Sequence, residues 1–352
     1  MGYYYVKRNL PWSNGLGVNV SDCNSSIEVM QKAKLDWQVN KCELFASVPY
    51  TIGANNEIDA KRGDFSQNGH IFRPYAKAYA TYRTDENIPL GIVKEQYEVV
   101  QNTDVFRFFD EAIGKDKAVW DHAGMFGYGH KIFVTAKLPI TTTVGQDQID
   151  NYLVFSNSHD GSSAVTILIT PVRVICNNML NGALKQNDCY IRVKHTKSAK
   201  DRLDLGSRVL KVACQHALDA KELYNHLLNT KMSDKQAMQY LCQLKLTKEE
   251  MARLMNYDPE HGFERLINIE ARVLEAAEIS MRKANVLHAM FDYYNDGVGQ
   301  HYIYGTAWGV YNAVTGYAGN VMNYTTEQRM ESLTWGSSAR LASNALQLAY
   351  EA

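Results

Sequence analysis

Lys131-Ile132-Phe133-Val134-Thr135-Ala136-Lys137-Leu138 places Ile132, Val134, Ala136 and Leu138 on one side of an extended chain. That two-residue period is the signature of a strand with one face against a core. Working outward, Tyr152–Phe155 and Ala164–Thr170 are short apolar runs rich in β-branched residues, and Tyr190–Thr196 reads as one more strand. Pro139 and the cluster Gly145-Gln146-Asp147 mark turns between them. Pro171 stops the last of these strands and opens a helix over 172–184. Upstream, Tyr75–Arg83 and Ile92–Val100 are strand-like, and 53–69 reads as a loop or long hairpin tip. Two short helices are expected, over 26–37 with Asn24, Ser25 or Ser26 as cap, and over 103–113 with Thr103 or Asp104.

Beyond residue 200 the character changes. From Asp201 to Phe291 the one proline is Pro259, and Ala, Leu, Lys, Glu, Met and Gln dominate. The 3.6-residue period predicts helices near 203–229, 233–243, 247–255, 263–293, 305–318 and 326–350. Ser233 and Thr247 are N-caps, and Thr247-Lys248-Glu249-Glu250 is a capping box. The expected class is α+β: a mainly antiparallel sheet with a few helices over 1–200, then a helical region over 201–352.

The chain has 352 residues, long for a single core, and 45% of them are hydrophobic. Its 37 basic and 38 acidic side chains nearly cancel, so a nucleic-acid surface must arise from local segregation of charge. Six cysteines, at 23, 42, 176, 189, 214 and 242, form no Cys-x-x-Cys pair. Reduced, mostly buried thiols are expected, with no structural zinc and no cofactor. The start lacks an apolar signal segment, and no apolar run approaches about 20 residues, so a cytoplasmic setting is expected.

Four constellations carry candidate chemistry. Asn157-Ser158-His159-Asp160-Gly161-Ser162-Ser163 is either a tight turn or a strand-end loop offering His159 and Asp160 as general base or metal ligand. Pro171-Val172-Arg173-Val174-Ile175-Cys176 could present Arg173 to a phosphate at a helix start. Cys176 would then be a nucleophile paired with His159 or His195, or else a buried thiol facing the sheet. The stretch 185–211 holds Lys185, Arg192, Lys194, Lys197, Lys200, Arg202, Arg208 and Lys211 against Asp188, Asp201 and Asp204. A strand there would track phosphates, or would be a solvated edge guarded by lysines. The 22 tyrosines include Tyr79, Tyr82 and Tyr190 close to basic residues, where rings stack bases or fill a sheet. Gly124, Gly127 and Gly129 do not match the dinucleotide fingerprint.

Several phrases in order carry a family resemblance. They are Pro11-Trp12 with Gly15-Leu16-Gly17, Ala33 to Val39, Leu90 to Val93, Tyr97 to Asn102, Asn157 to Ser162, Pro171 to Asn177, His195-Thr196 and Gly305 to Val314. Together, over about residues 11–340, they resemble the phage/plasmid-like family built on domain of unknown function 932. The resemblance implies a phage, prophage or plasmid origin and an intracellular setting, and brings no activity with it. By analogy of architecture with single-strand annealing recombinases, the expected function is single-stranded DNA binding and annealing in recombination or replication, by a homo-oligomer. Arg173, Lys185, Arg192, Lys194, Lys197 and Arg202 would meet phosphates, and Tyr79, Tyr82 and Tyr190 would meet bases. The alternatives are a hydrolase or nuclease-like enzyme built on His159, Asp160, Cys176 and His195, and a protein that binds a host factor.

Overall fold

The computed structural model describes residues 8–13, 15–49, 65–68, 70–110, 118–180, 190–196 and 206–351. Its larger sheet has seven strands in the order β1 (Gly17–Asn19), β6 (Val119–Phe126), β7 (Lys131–Val144), β8 (Asp147–Ser158), β9 (Val165–Arg173) and β10 (Asn178–Met179), with β11 (Tyr190–Val193) also on β9. A smaller sheet pairs β4 (His70–Arg83) with β2 (Val39–Pro49), β3 (Phe65–Gln67) and β5 (Pro89–Lys94). Every described pairing is antiparallel. The class is α+β, sheets first and helices after.

The alternation in β7 works as its sequence dictates. Ile132, Val134 and Ala136 join Leu153, Phe155, Val165, Ile167 and Ile169 on one face. Helices α1 (Ser26–Ala33) and α2 (Asn102–Asp110) cover that face with Val29, Met30, Val105 and Phe106. Ser25 caps α1 by accepting from the Glu28 N–H. The opposite face, with Phe133, Tyr152, Val154, Leu168 and Val172, packs against Trp12, Met330 and Leu333. The two central strands, β8 and β9, are therefore buried on both sides.

Pro139 and Pro171 both lie inside strands, contrary to the turn expected at Pro139 and the strand stop and helix start expected at Pro171. Pro139 sits in β7 where its register against β8 shifts between Lys137 and Thr141, so no ladder bond is lost. Pro171 sits in β9 opposite Asn151. Its carbonyl turns away from β8 and accepts from the Leu180 N–H at 2.8 Å, beyond the end of β10. The missing N–H points the same way and costs β8 nothing. No helix forms over 172–180, where Val172 and Arg173 finish β9 and a turn leads into β10; 181–184 lie outside the described residues. Only Ile92–Lys94 of the strand expected over 92–100 is extended ladder.

The helical half runs α3 (Gly206–Asn229), α4 (Asp234–Lys245), α5 (Lys248–Tyr257), α6 (Gly262–Ile267), α7 (Ala271–Ala276), α8 (Met281–Asp296), α9 (Ala307–Gly316), α10 (Thr326–Thr334) and α11 (Ser337–Tyr350). The Ser233 and Thr247 capping boxes are present. The single helix expected over 263–293 is three, because Ile269 (φ 51°) and Glu278 (φ 54°) turn the backbone left-handed after α6 and α7. The helix expected over 326–350 breaks at Trp335-Gly336. Val144, Ile149 and Leu180 extend the helical core into the larger sheet, so the boundary near 200 is crossed by shared packing. No helix among the described residues is long and apolar enough to cross a membrane.

Candidate functional site

β8 and β9 do form a hairpin at Asp160-Gly161, with Gly161 at φ 75°, but through a connection over 159–164 rather than a tight two-residue turn. His159 is wholly buried beside Trp37, with ring centroids 5.4 Å apart. Its Nε2 lies 2.9 Å from Asn102 Oδ1. The Asn102 amide nitrogen donates to the Leu35 and Trp37 carbonyls, which fixes Oδ1 as the acceptor. His159 therefore carries its proton on Nε2, and its Nδ1 lone pair meets no donor among the described residues. Burial pushes the imidazole down to about 3, so His159 is neutral at physiological pH.

His195 repeats the pattern. Its Nδ1 lies 3.2 Å from the Glu98 carbonyl, which makes Nδ1 the donor and leaves Nε2 bare. Burial lowers its pKa too. Asn157 donates its amide to the Val100 carbonyl at 2.9 Å and keeps a bare Oδ1. His195, Asn157 and His159 thus bond to positions 98, 100 and 102 of one segment. Asp160 is raised by burial, but hydrogen bonds from Ser158 and Ser162 outweigh that and hold it below the ordinary carboxylate value. Asn102, Asn157 and Tyr97, whose hydroxyl donates to the Ser158 carbonyl at 2.7 Å, are members that sequence reasoning did not single out. No group of three or more His, Cys, Asp or Glu among the described residues is placed to hold a metal ion.

Cys176 and Arg173 belong elsewhere. Arg173 ends β9 beside Asp147, which begins β8, whereas His159 follows the other end of β8. An intervening strand of this length puts Cys176 on the order of 30 Å from His159, too far for a nucleophile and its base. Cys176 is fully buried, and burial raises its thiol pKa despite the Arg173 charge. Arg173 is equally buried and cannot meet a phosphate. Its Nη2 donates to Asp147 Oδ1 and the Gly299 carbonyl, each at 2.7 Å. Trp308 Nε1 donates to the other Asp147 oxygen at 2.8 Å. Of the cysteines whose side chains are described, Cys176 and Cys242 are buried, Cys23 is half-buried and Cys42 is exposed.

The strand expected over 190–196 is present but shorter: β11 ends at Val193, so Lys194 and Thr196 lie past it. β11 forms the outer neighbour of β9 over Val165–Leu168, and Arg192 and Lys194 are exposed. The Arg192 guanidinium lies 4.9 Å above the Tyr190 ring, and the Tyr190 hydroxyl donates to the Thr334 carbonyl. Lys185, Lys197 and Arg202 lie outside the described residues. Tyr79 and Tyr82 are in the smaller sheet, three residues apart, so they point to opposite faces of β4 and form no common platform. Tyr79 carries Lys41 over its ring at 5.3 Å. Lys41 also donates to the Tyr97 carbonyl at 2.8 Å, and the Tyr97 ring stacks on His195 at 4.6 Å. Contacts thus run from Tyr79 through Lys41 and Tyr97 to His195, two residues past the end of β11, while Tyr82 lies off this line.

Residues 89–337, the larger part of the chain, match the family described as Domain of unknown function (DUF932), and the chain belongs to that family. No curated protein and no solved structure matches the chain.

Proposed function

We propose that this protein binds single-stranded nucleic acid along the β11 edge, and does so as an oligomer in strand annealing during recombination or replication. The observation that carries the reading is a pair of cation-on-tyrosine contacts near β11: Arg192 on Tyr190, and Lys41 on Tyr79, the latter reaching His195 through Tyr97. Cations suit phosphates, and tyrosine faces suit unpaired bases whatever their sequence. Lys194 adds an exposed charge just past β11. Arg173 has no part in it, and the hydrolase alternative loses its nucleophile with Cys176 buried far from His159.

Fluorescence anisotropy of a labelled oligonucleotide, at two salt concentrations and beside the matched duplex, tests the reading. Single-strand binding should collapse as salt rises. The double variant Arg192→Glu, Lys194→Glu should bind at least tenfold more weakly. It should also lose about 0.7 from the log–log salt slope per phosphate contact removed. No binding at low salt, or binding untouched by the double variant, ends the proposal.

A further inference from the structure

β2 forms an outer edge of the smaller sheet, and among the described residues β4 is the one strand that pairs with it. At Val39 the outer side is closed by a side chain. Gln101 Oε1 accepts from the Val39 N–H at 3.0 Å and its Nε2 donates to the Val39 carbonyl at 2.8 Å, much as a neighbouring strand would. Both main-chain groups of Val39 therefore face away from β4. Strand alternation then turns those of Asn40 and Cys42 toward β4, and those of Lys41 and Glu43 outward. The regular edge ends after Glu43, where the register against β4 shifts.

We propose that two copies of the chain pair through this edge, β2 against β2, antiparallel about a two-fold axis at Cys42. Lys41 of each copy then exchanges both main-chain hydrogen bonds with Glu43 of the other, and Cys42 faces its own copy as a non-hydrogen-bonded pair. Lys41 and Glu43 share a face, so opposite charges sit directly across the junction twice. Neighbouring registers fail on the same residues. An axis at Lys41 sets lysine against lysine, and an axis at Glu43 sets glutamate against glutamate. An axis at Asn40 needs the main-chain groups of Val39, which Gln101 already holds. A shift by one residue opposes outward groups to inward ones.

The exposed face supports the same register. Cys42 is exposed and lies in line with Ala80 of β4 and Ile92 of β5, which is 63% exposed. Pairing at Cys42 joins this apolar row to its symmetry mate and removes two open edges at once. The proposal does not depend on nucleic-acid binding, and its test contains none.

Cys42 makes the junction its own reporter, since a non-hydrogen-bonded pair brings the two Cα atoms to about 4.5 Å, within disulfide reach. A full-length variant keeping Cys42 alone, with the other five cysteines as serine, is treated with diamide and run on a non-reducing denaturing gel. A covalent dimer is expected, and should vanish when Cys42→Ser is added. Sedimentation of the reduced, otherwise native chain should show a concentration-dependent dimer. Glu43→Lys should weaken it at least tenfold, and adding Lys41→Glu should restore it. A chain that stays monomeric overturns the proposal. So does a dimer that neither cross-links through Cys42 nor responds to Glu43→Lys.

Discussion

Arg173→Ala is expected to lower the unfolding free energy by about 3–5 kcal/mol, measured by urea titration at pH 7.5. The cause is less the loss of an attraction than the exposure of a debt on the other side. Asp147 is 3% exposed and would be left with Trp308 Nε1 as its remaining donor. The Gly299 carbonyl would lose its donor as well. Arg173→Met combined with Asp147→Leu removes both charges at similar volume and should recover much of the loss, because the gain from a buried ion pair is largely cancelled by desolvation. A single-variant loss under about 1 kcal/mol would mean that the pair behaves as if solvated, against the packing described.

The second large effect is a loss of stability in mild acid. His159 titrates at about 3 in the fold against an ordinary 6.5, so the unfolded chain takes up its proton first as pH falls. The neutral, buried imidazole therefore stabilises the fold in full above about pH 6.5, and that contribution drains away as pH drops toward 3. Between pH 7 and 5 the expected loss from this residue is about 2 kcal/mol, and His195, shifted the same way, adds to it. His159→Gln can keep a donor toward Asn102 but cannot titrate. Its stability should depend on pH less steeply, by about 1.4 kcal/mol per pH unit at pH 5. An unchanged slope, followed by urea titration across this range, would show that His159 is not buried neutral.

The sheet was legible in the sequence because its information is local: alternation in β7, β-branched runs in β8 and β9, a turn signal at Asp160-Gly161. The errors fell where the deciding partner is remote. Arg173 at a strand end reads as a phosphate ligand until Asp147 and the Gly299 carbonyl close on it, 26 and 126 residues away in sequence. Pro171 reads as a terminator unless one knows that its nitrogen faces the gap past β10. Ile269 and Glu278 break a helix in conformations that neither residue type advertises. At the candidate site, His159 and His195 were visible as residue types. Asn102, which sets the His159 tautomer, and the role of Asn157 were not, since an asparagine at a helix start or inside a strand has no signature of its own. The phrase Tyr97 to Asn102 did hold the segment that lines all three.

A sheet covered on both faces has a consequence for how the chain is made. The face of β8 and β9 that meets α10 is complete once Val172 has been added, yet Met330 follows 158 residues later. At about 5–20 residues per second the ribosome needs roughly 8–30 s to supply the cover. For that interval Tyr152, Val154, Leu168 and Val172 form an open apolar wall on a nascent chain, the period in which it most needs shielding from its neighbours on the same message.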